Sequence, residues 1–257
     1  METRSGRFSN AIAVRGVAAS AVNMFIGGVI PPVCPVCRSI TTASGALCGA
    51  CWRGLDFLTP PLCRQLGTPL PFDPGMEVVS PAAQADPPPW DRARAAVAYD
   101  DTARVLVTAL KYRDRMDVAA TMARMMARAG RELLQSADLV APVPLHFLRL
   151  WSRRFNQANE LAREVAALAG KPHDPVVLRR RKPTRRQVGL SASQRARNVA
   201  GAFVVDPARR ALLEGRRVLL VDDVLTTGAT ARAAARTLRR AGASVDVLAF
   251  AMVVERG

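Results

Sequence analysis

From Asp91 onward, segments with the apolar pattern of strands alternate with segments of helical spacing. This alternation is typical of strand-helix-strand units and predicts an α/β fold, a parallel sheet with flanking helices. In open sheets of this type, ligands bind beyond the carboxyl ends of the strands. We therefore expect chemistry in the loops after Pro144, Leu178 and Asp223. The predicted strands are 95–99, 138–144, 176–178, 202–205, 217–223 and 245–254, and the predicted helices are 102–112, 116–134, 155–169 and 229–241.

The most informative loop follows the apolar run 218–221. Two carboxylates, Asp222 and Asp223, come first, and a turn that opens a predicted helix follows: Thr226, Thr227, Gly228, Ala229 and Thr230. A helix N-terminus has free N–H groups and a partial positive charge, so it binds phosphate. Two adjacent acids instead accept bonds from sugar hydroxyls or bind a cation. A phosphorylated ribose satisfies both halves, whereas the alternative, acids that merely cap a helix, accounts for one or two positions.

Other phosphate-binding motifs are missing from the sequence. It has neither Gly-x-x-x-x-Gly-Lys-[Ser/Thr] nor Gly-x-Gly-x-x-Gly after a strand, which excludes the usual NTPase and dinucleotide-binding classes. The stretch 218–230 instead resembles the phosphoribosyl pyrophosphate (PRPP) signature of type I phosphoribosyltransferases. The resemblance implies that Asp222 and Asp223 bind the ribose 2- and 3-hydroxyls, that the 226–230 loop cradles the 5-phosphate, and that Mg²⁺ accompanies PRPP.

Further segments resemble the ComF (also GntX) family: the strand and Pro-stiffened loop at 138–146, the stretch 110–114, and the region 179–203. The likeness covers nearly the whole chain and implies a type I phosphoribosyltransferase-like fold. It also implies that the loop Val143, Pro144, Leu145 and His146 presents backbone amides to pyrophosphate. One departure is that Arg154 directly precedes Phe155, where ComF-like sequences tend to have a glycine between arginine and phenylalanine.

Six cations occupy the nine positions 179–187. By resemblance this segment is the loop that closes over the pyrophosphate, and we expect Arg185 and Arg186 to neutralise charge on the leaving group. A solvated basic run and a nucleic-acid contact are the alternatives. The position of the segment between predicted strands favours the catalytic loop.

Four of the five cysteines form two close pairs, Cys34-x2-Cys37 and Cys48-x2-Cys51. This spacing is typical of a zinc ribbon, and four thiolates leave no open position for water, so the predicted zinc is structural. Four packed thiols without metal are the alternative. ComF-like proteins often have another Cys-x2-Cys after this module, but here Cys63 is followed by Leu66, so a second complete zinc site is not expected.

The charge balance of 37 Lys+Arg against 21 Asp+Glu, +16, favours phosphate-bearing partners. Five cysteines form an odd count, and four of them stand as two close pairs, which favours a metal site in a reducing, cytoplasmic compartment over disulfides.

An apolar run at 17–30 follows Arg4, Arg7 and Arg15, but it is too short to span a bilayer and lacks a clear cleavage site. It predicts a helix packed on the protein, and no other stretch suits a membrane span.

We therefore expect three parts: an N-terminal helix and zinc-ribbon module at 1–72, an extended Pro-rich linker at 73–90, and a phosphoribosyltransferase-like domain at 91–257. No internal repeat is evident. The resemblance implies a protein that binds PRPP or another phosphorylated ribose, with phosphoribosyltransferase activity toward an unidentified acceptor, linked to DNA uptake in natural transformation. The alternative is a non-catalytic factor that handles single-stranded DNA, with DNA or DNA-uptake proteins as partners.

Overall fold

The computed structural model describes residues 31–110, 116–144, 156–181, 194, 199 and 201–254. The strands are β1 (Arg92–Ala98), β2 (Leu139–Pro142), β3 (Leu178–Arg180), β4 (Phe203–Val205), β5 (Arg217–Leu225) and β6 (Ser244–Met252). The helices are α1 (Gly49–Arg53), α2 (Pro81–Ala85), α3 (Asp101–Ala109), α4 (Met116–Ala129), α5 (Arg131–Ser136), α6 (Gln157–Ala169) and α7 (Ala229–Arg239), with a 3₁₀ turn at Pro207–Leu212.

Four strands form the predicted parallel sheet, in the order β1-β6-β5-β2. The central strands are apolar on both faces, and the side chains of 218–221 in β5 are fully buried. One face packs against α3, α4 and α6 through residues such as Leu106, Met122 and Leu161. The other face packs against α7 through Ala234 and Leu238. Burial on both faces explains why β5 reads as an unbroken apolar run before its two acids.

Two parts of the sequence-based prediction are wrong. The segments predicted as strands at 176–178 and 202–205 do not join the parallel sheet, because β3 and β4 pair with each other in a separate antiparallel ribbon. Strands of three residues are too short for periodicity to reveal their partner. The predicted helix 116–134 is two helices that meet at Gly130, where an added Cβ would lie 2.7 Å from Leu248 Cδ1.

The cysteine module lies along the outer edge of β1. Leu58 N donates to Ala96 O at 3.1 Å, and Ala98 N donates to Asp56 O at 2.8 Å. The module thereby pairs with backbone groups that a free sheet edge would expose. Ser44 Oγ adds a bond to Asp117 Oδ2 of α4 at 3.0 Å.

The Pro-rich segment 73–90 contains more packed structure than its sequence predicts. Residues Pro81–Ala85 form α2, which Ser80 caps, and Ala83 is fully buried. Trp90 is 2% exposed. Proline at the first position of a helix is compatible with helical backbone, which explains how α2 forms in this composition.

Within the described ranges, every helix is too short or too polar to cross a bilayer.

Candidate functional site

A cavity of about 280 Å³ opens at the carboxyl end of the parallel sheet. The end of β5 and the start of α7 form one wall, and the end of β2 with the start of α6 forms another. Tyr99 and Arg180 close the remaining sides. The side chains that line it are Tyr99, Val107, Val143, Pro144, Asn156, Gln157, Ala158, Arg180, Asp222, Asp223, Val224, Leu225, Thr226, Gly228, Ala229, Thr230 and Ala231.

Asp222 and Asp223 project from β5 into this cavity, each half-buried. Each carboxylate accepts one hydrogen bond from the N–H of the following residue, at 2.9 Å from Asp223 N and 2.8 Å from Val224 N. Among the described residues, no lysine or arginine forms an ion pair with either acid. A carboxylate has about four acceptor positions, so most of this capacity is available to a ligand.

The pKa of Asp222 lies well above its ordinary value. Burial is the main cause, and the neighbouring Asp223 carboxylate adds to it, while the more distant Arg180 acts in the opposite direction. Two neighbouring carboxylates repel each other, and a shared proton, a bound cation or hydroxyl donors relieve that repulsion. The pair is therefore prepared for a cation or a diol.

The turn after β5 leaves the N-terminus of α7 without a side-chain cap. Its N-cap is Gly228, at φ +70°, a left-handed conformation that glycine adopts without strain. In α3, by contrast, Asp100 accepts from Ala103 N at 2.7 Å. The first-turn N–H groups of α7 thus face the cavity beside Thr226, as a phosphate requires.

The Trp90 ring packs closely against Gly228 of this turn. A Cβ on Gly228 would lie 3.2 Å from Trp90 Cη2. The indole Nε1–H donates to Gln65 O at 2.7 Å, and the Arg232 guanidinium of α7 lies over the ring, 5.6 Å from its centroid. The turn before α7 is therefore fixed in part by residues outside the sheet.

Most of the predicted site residues come together in the cavity. Thr227 is exposed and lies outside the lining. Leu145, His146, Arg185 and Arg186 lie outside the described residues. The predicted residues that line the cavity are Val143, Pro144, Asp222, Asp223, Thr226, Gly228, Ala229 and Thr230.

Other lining residues were not predicted. Gln157 is 2% exposed, and its Nε2 has no hydrogen-bond partner among the described residues, so it offers a donor to a ligand. Asn156 Nδ2 donates to Val143 O at 3.2 Å, which ties α6 to the end of β2. Arg180 stacks on Phe203 at 5.4 Å. The asparagine-glutamine pair at the start of a predicted helix was the available signal, since buried amides require partners.

The sulfurs of Cys34, Cys37, Cys48 and Cys51 form a second candidate centre, all within 4.8 Å of one another. Cys37 Sγ and Cys48 Sγ are 3.5 Å apart. Tetrahedral zinc with bonds of about 2.3 Å places its sulfurs about 3.8 Å apart, so these four residues fit zinc. Cys48 also caps α1, since its Sγ accepts from Cys51 N at 3.5 Å.

Comparisons with known proteins agree with both centres. Residues 25–82 match the double zinc ribbon domain, and residues 152–257 match the phosphoribosyl transferase domain. The chain is 33% identical over 222 residues to the DNA utilization protein YhgH of Salmonella typhimurium, covering 84% of this chain and 94% of that protein. It is 29% identical over 215 residues to competence protein F of Haemophilus influenzae, covering 81% and 91%. It is also 55% identical over 51 residues to adenine phosphoribosyltransferase of Mycobacterium avium, covering 20% and 27%. The first two likenesses extend across both the cysteine module and the sheet domain.

Proposed function

The chain belongs to the ComF family of competence and DNA utilization proteins, and from this premise we propose that its cavity binds PRPP together with Mg²⁺. The observation that carries the proposal is the meeting, in one cavity, of two carboxylates that form no ion pair with any described residue and a helix N-terminus without a side-chain cap. The carboxylates suit a ribose diol and a cation, and the helix terminus suits the 5-phosphate.

Each chemical group of PRPP would contact a different part of the cavity lining. Asp222 and Asp223 would accept bonds from the 2- and 3-hydroxyls. The N–H groups after Thr226 would bind the 5-phosphate. The end of β2 at Val143 and Pro144 would face the pyrophosphate, and Arg180 would contribute positive charge nearby. Gln157 would use its unpartnered Nε2 as a further donor.

The reaction that this placement supports is phosphoribosyl transfer. A lone pair on the acceptor forms a bond to the anomeric carbon, while the bond from that carbon to pyrophosphate breaks and its electron pair leaves with pyrophosphate. Positive charge develops on the ribose, so the protein contributes mainly position and electrostatic stabilisation. Arg185 and Arg186, outside the described residues, stay the predicted cations of a closing loop.

Isothermal titration calorimetry with Mg–PRPP tests the proposal. We expect saturable heat with the native protein and a loss of at least about tenfold in affinity with Asp223→Ala, since a charged hydrogen bond contributes about 1.5–3 kcal/mol. Asp101→Ala is the matched control, because that carboxylate lies on the surface, 95% exposed. No heat with the native protein would defeat the proposal.

A second candidate function is single-stranded DNA binding, and the name of one relative, DNA utilization protein, favours a role with DNA. A groove of about 1270 Å³ runs between the cysteine module and α4. Trp52 and Phe57 lie in it with ring centroids 5.0 Å apart, beside the cations Arg124 and Arg128. Aromatic side chains next to cations suit stacked bases and a phosphate backbone.

The two candidates separate in one pair of variants. If DNA binds in the groove, Trp52→Ala weakens its affinity about fivefold or more, because stacking contributes about 1–3 kcal/mol per base. Asp223→Ala would leave DNA affinity unchanged. A steep fall of affinity with salt that is insensitive to Trp52→Ala would place DNA elsewhere on the basic surface.

A further inference from the structure

The cysteine module contains two copies of the same hairpin, although the sequence shows no evident repeat. Cys34 N donates to Ser39 O at 2.8 Å, and Arg38 N donates back to Cys34 O at 2.9 Å. Twenty-nine residues later (63 − 34 = 29), Cys63 N donates to Thr68 O at 2.8 Å and Gly67 N donates to Cys63 O at 2.8 Å. The isolated bridges correspond as well, Val33 with Ile40 and Leu62 with Pro69.

The turn conformation is also repeated. Arg38 has φ 63° and Gly67 has φ 71°, so both hairpins reverse through a left-handed residue directly after the second ligand position. In the first copy that ligand is Cys37. In the second copy the equivalent residue is Leu66, which has no metal-binding atom.

The second half of each copy is a capped five-residue helix. Cys48 caps α1 by accepting from Cys51 N at 3.5 Å, and Ser80 caps α2 by accepting from Ala83 N at 3.4 Å. Ser80 and Ala83 therefore stand where Cys48 and Cys51 stand in the first copy. The repeat is invisible in sequence because three of its four cysteines are replaced.

Hydrogen bonds replace the metal at the remaining sulfur. Cys63 Sγ accepts from Leu66 N at 3.4 Å and from Ser80 N at 3.3 Å, and the residue is fully buried. Burial raises the pKa of Cys63, but the bonds from Ser80 and Leu66 outweigh it, so the pKa is lowered. Two N–H donors thus bind the Cys63 sulfur in place of a metal, and the fully buried Ala83 stands at the fourth position.

We propose that this chain is a double ribbon with one zinc, in which the second ribbon folds around Cys63, Leu66, Ser80 and Ala83 without metal. The side chains of leucine and alanine have no atom that can bind zinc. A serine hydroxyl with one thiol does not complete a tetrahedral site. The family description implies two ribbons, whereas the residues present fit metal only in the first.

Metal analysis of the full chain, purified without chelator, tests this proposal. We expect one zinc per chain in the native protein, one in Cys63→Ser, and a loss of zinc in Cys48→Ser. Two zinc ions per native chain, or loss of zinc in Cys63→Ser, would overturn it.

A gain-of-site variant tests the correspondence itself. Leu66→Cys, Ser80→Cys and Ala83→Cys together restore four thiols, and we expect a second zinc per chain and twice the cobalt–thiolate absorption. A folded triple variant that still holds one zinc would show that the two hairpins are not equivalent. If the triple variant does not fold, the Cys63→Ser measurement decides.

A different observation, the contacts of Trp90, carries a second proposal. Trp90 joins the second ribbon, through Gln65 O, to Gly228 of the turn before α7. Arg232 stacks on the same ring and pairs with Asp86 Oδ2 at 2.9 Å. We infer that Trp90 is a positioning residue for the phosphate-binding turn, an inference that rests on the proposed function.

Calorimetry with Mg–PRPP tests the role of Trp90. We expect Trp90→Ala to weaken affinity about tenfold with one site per molecule retained, and Trp90→Phe, which keeps a ring, to recover most of it. A merely structural role would lower the number of binding molecules and leave affinity unchanged. Phe72→Ala, at an aromatic residue that is 70% exposed and lines neither the cavity nor the groove, is the matched control.

Calorimetry distinguishes a failure of PRPP binding from a failure of the positioning role of Trp90. A native protein that gives no heat defeats PRPP binding itself. A native protein that binds, with Trp90→Phe and Trp90→Ala equal to it in affinity, defeats only the role of Trp90. If Trp90→Ala does not fold, Asp86→Ala, which frees Arg232, replaces it and is expected to weaken affinity two- to threefold.

Discussion

Each end of the parallel sheet carries a pair of aspartates. Among the described residues, the pair at the amino end forms ion pairs with arginines and the pair at the carboxyl end does not. At the amino end, Asp246 is fully buried and lies 2.6 Å from Arg92 Nη2 and 3.4 Å from Arg217 Nη1. Asp91 beside it pairs with Arg217 at 2.9 Å and with Arg239. At the carboxyl end, Asp222 and Asp223 form no ion pair with any described residue. The amino-end acids stabilise the fold through ion pairs, whereas the carboxyl-end acids are the ones that the proposed function assigns to a ligand.

The charged side chains at the two ends also differ in what shifts their pKa values. At the amino end, the hydrogen bonds that Arg92 donates to Asp246 raise the pKa of Arg92, as a satisfied ion pair does. At the carboxyl end, the pKa of Asp222 is raised by burial and by Asp223. A raised carboxyl pKa in a cavity is a common feature of functional sites, where burial and like charges shift titration.

The largest expected effect is at the amino end. Asp246→Asn leaves Arg92 and Arg217 without their buried partner, so we expect the free energy of unfolding to fall by about 3 kcal/mol. Chemical denaturation measures this change, and Mg–PRPP affinity should stay within twofold of native. A large loss of affinity in folded Asp246→Asn would erase the distinction between the two ends.

Asp222→Asn should have the opposite pattern. Removing one of two adjacent negative charges relieves repulsion, so we expect a higher melting temperature than native at pH 8. The sign follows because the raised pKa of Asp222 in the folded state makes its proton stabilising at low pH, and that stabilisation is lost as pH rises through the raised value. We expect affinity for Mg–PRPP to fall about tenfold, as calorimetry would show. A lower melting temperature would mean that Asp222 supports the fold.

The smallest expected effect is a pH dependence of binding. The raised pKa of Asp222 means that its carboxyl must lose a proton before it binds Mg–PRPP. Affinity should therefore rise with pH, by at most about tenfold per pH unit. Binding should release a proton, which calorimetry in buffers of different ionisation enthalpy detects. In Asp222→Asn the dependence should be reduced. Equal pH dependence in both proteins would assign it to another group.

The sequence predicted the parts of the site that are contiguous. Residues 222–230 supply both acids and the helix N-terminus within nine positions, so their chemistry is visible without a fold. Tyr99, Gln157 and Arg180 come from three other segments and meet the acids only through strand order, which periodicity does not specify. The parallel sheet was predicted correctly, but the β3–β4 ribbon was not, because its pairing depends on tertiary contacts.

The second ribbon shows a different limit of sequence-based prediction. Its fold is specified by backbone hydrogen bonds and by a left-handed turn residue, and neither requires cysteine. The lone Cys63 therefore led to the expectation of no second complete zinc site, which stays a prediction, and it gave no indication that the hairpin and its helix persist. The proposed one-zinc stoichiometry rests on side chains, whereas the architecture follows from the main chain.

The pairing of residues 56–58 with β1 has a practical consequence. A chain shortened to start at Asp91 would leave Ala96 O and Ala98 N without their partners along the outermost strand. Such an edge recruits strands from other molecules, so the shortened protein should self-associate and precipitate even with its cavity intact. The cysteine module covers this strand edge, and studies of the isolated sheet domain would need a replacement for that cover.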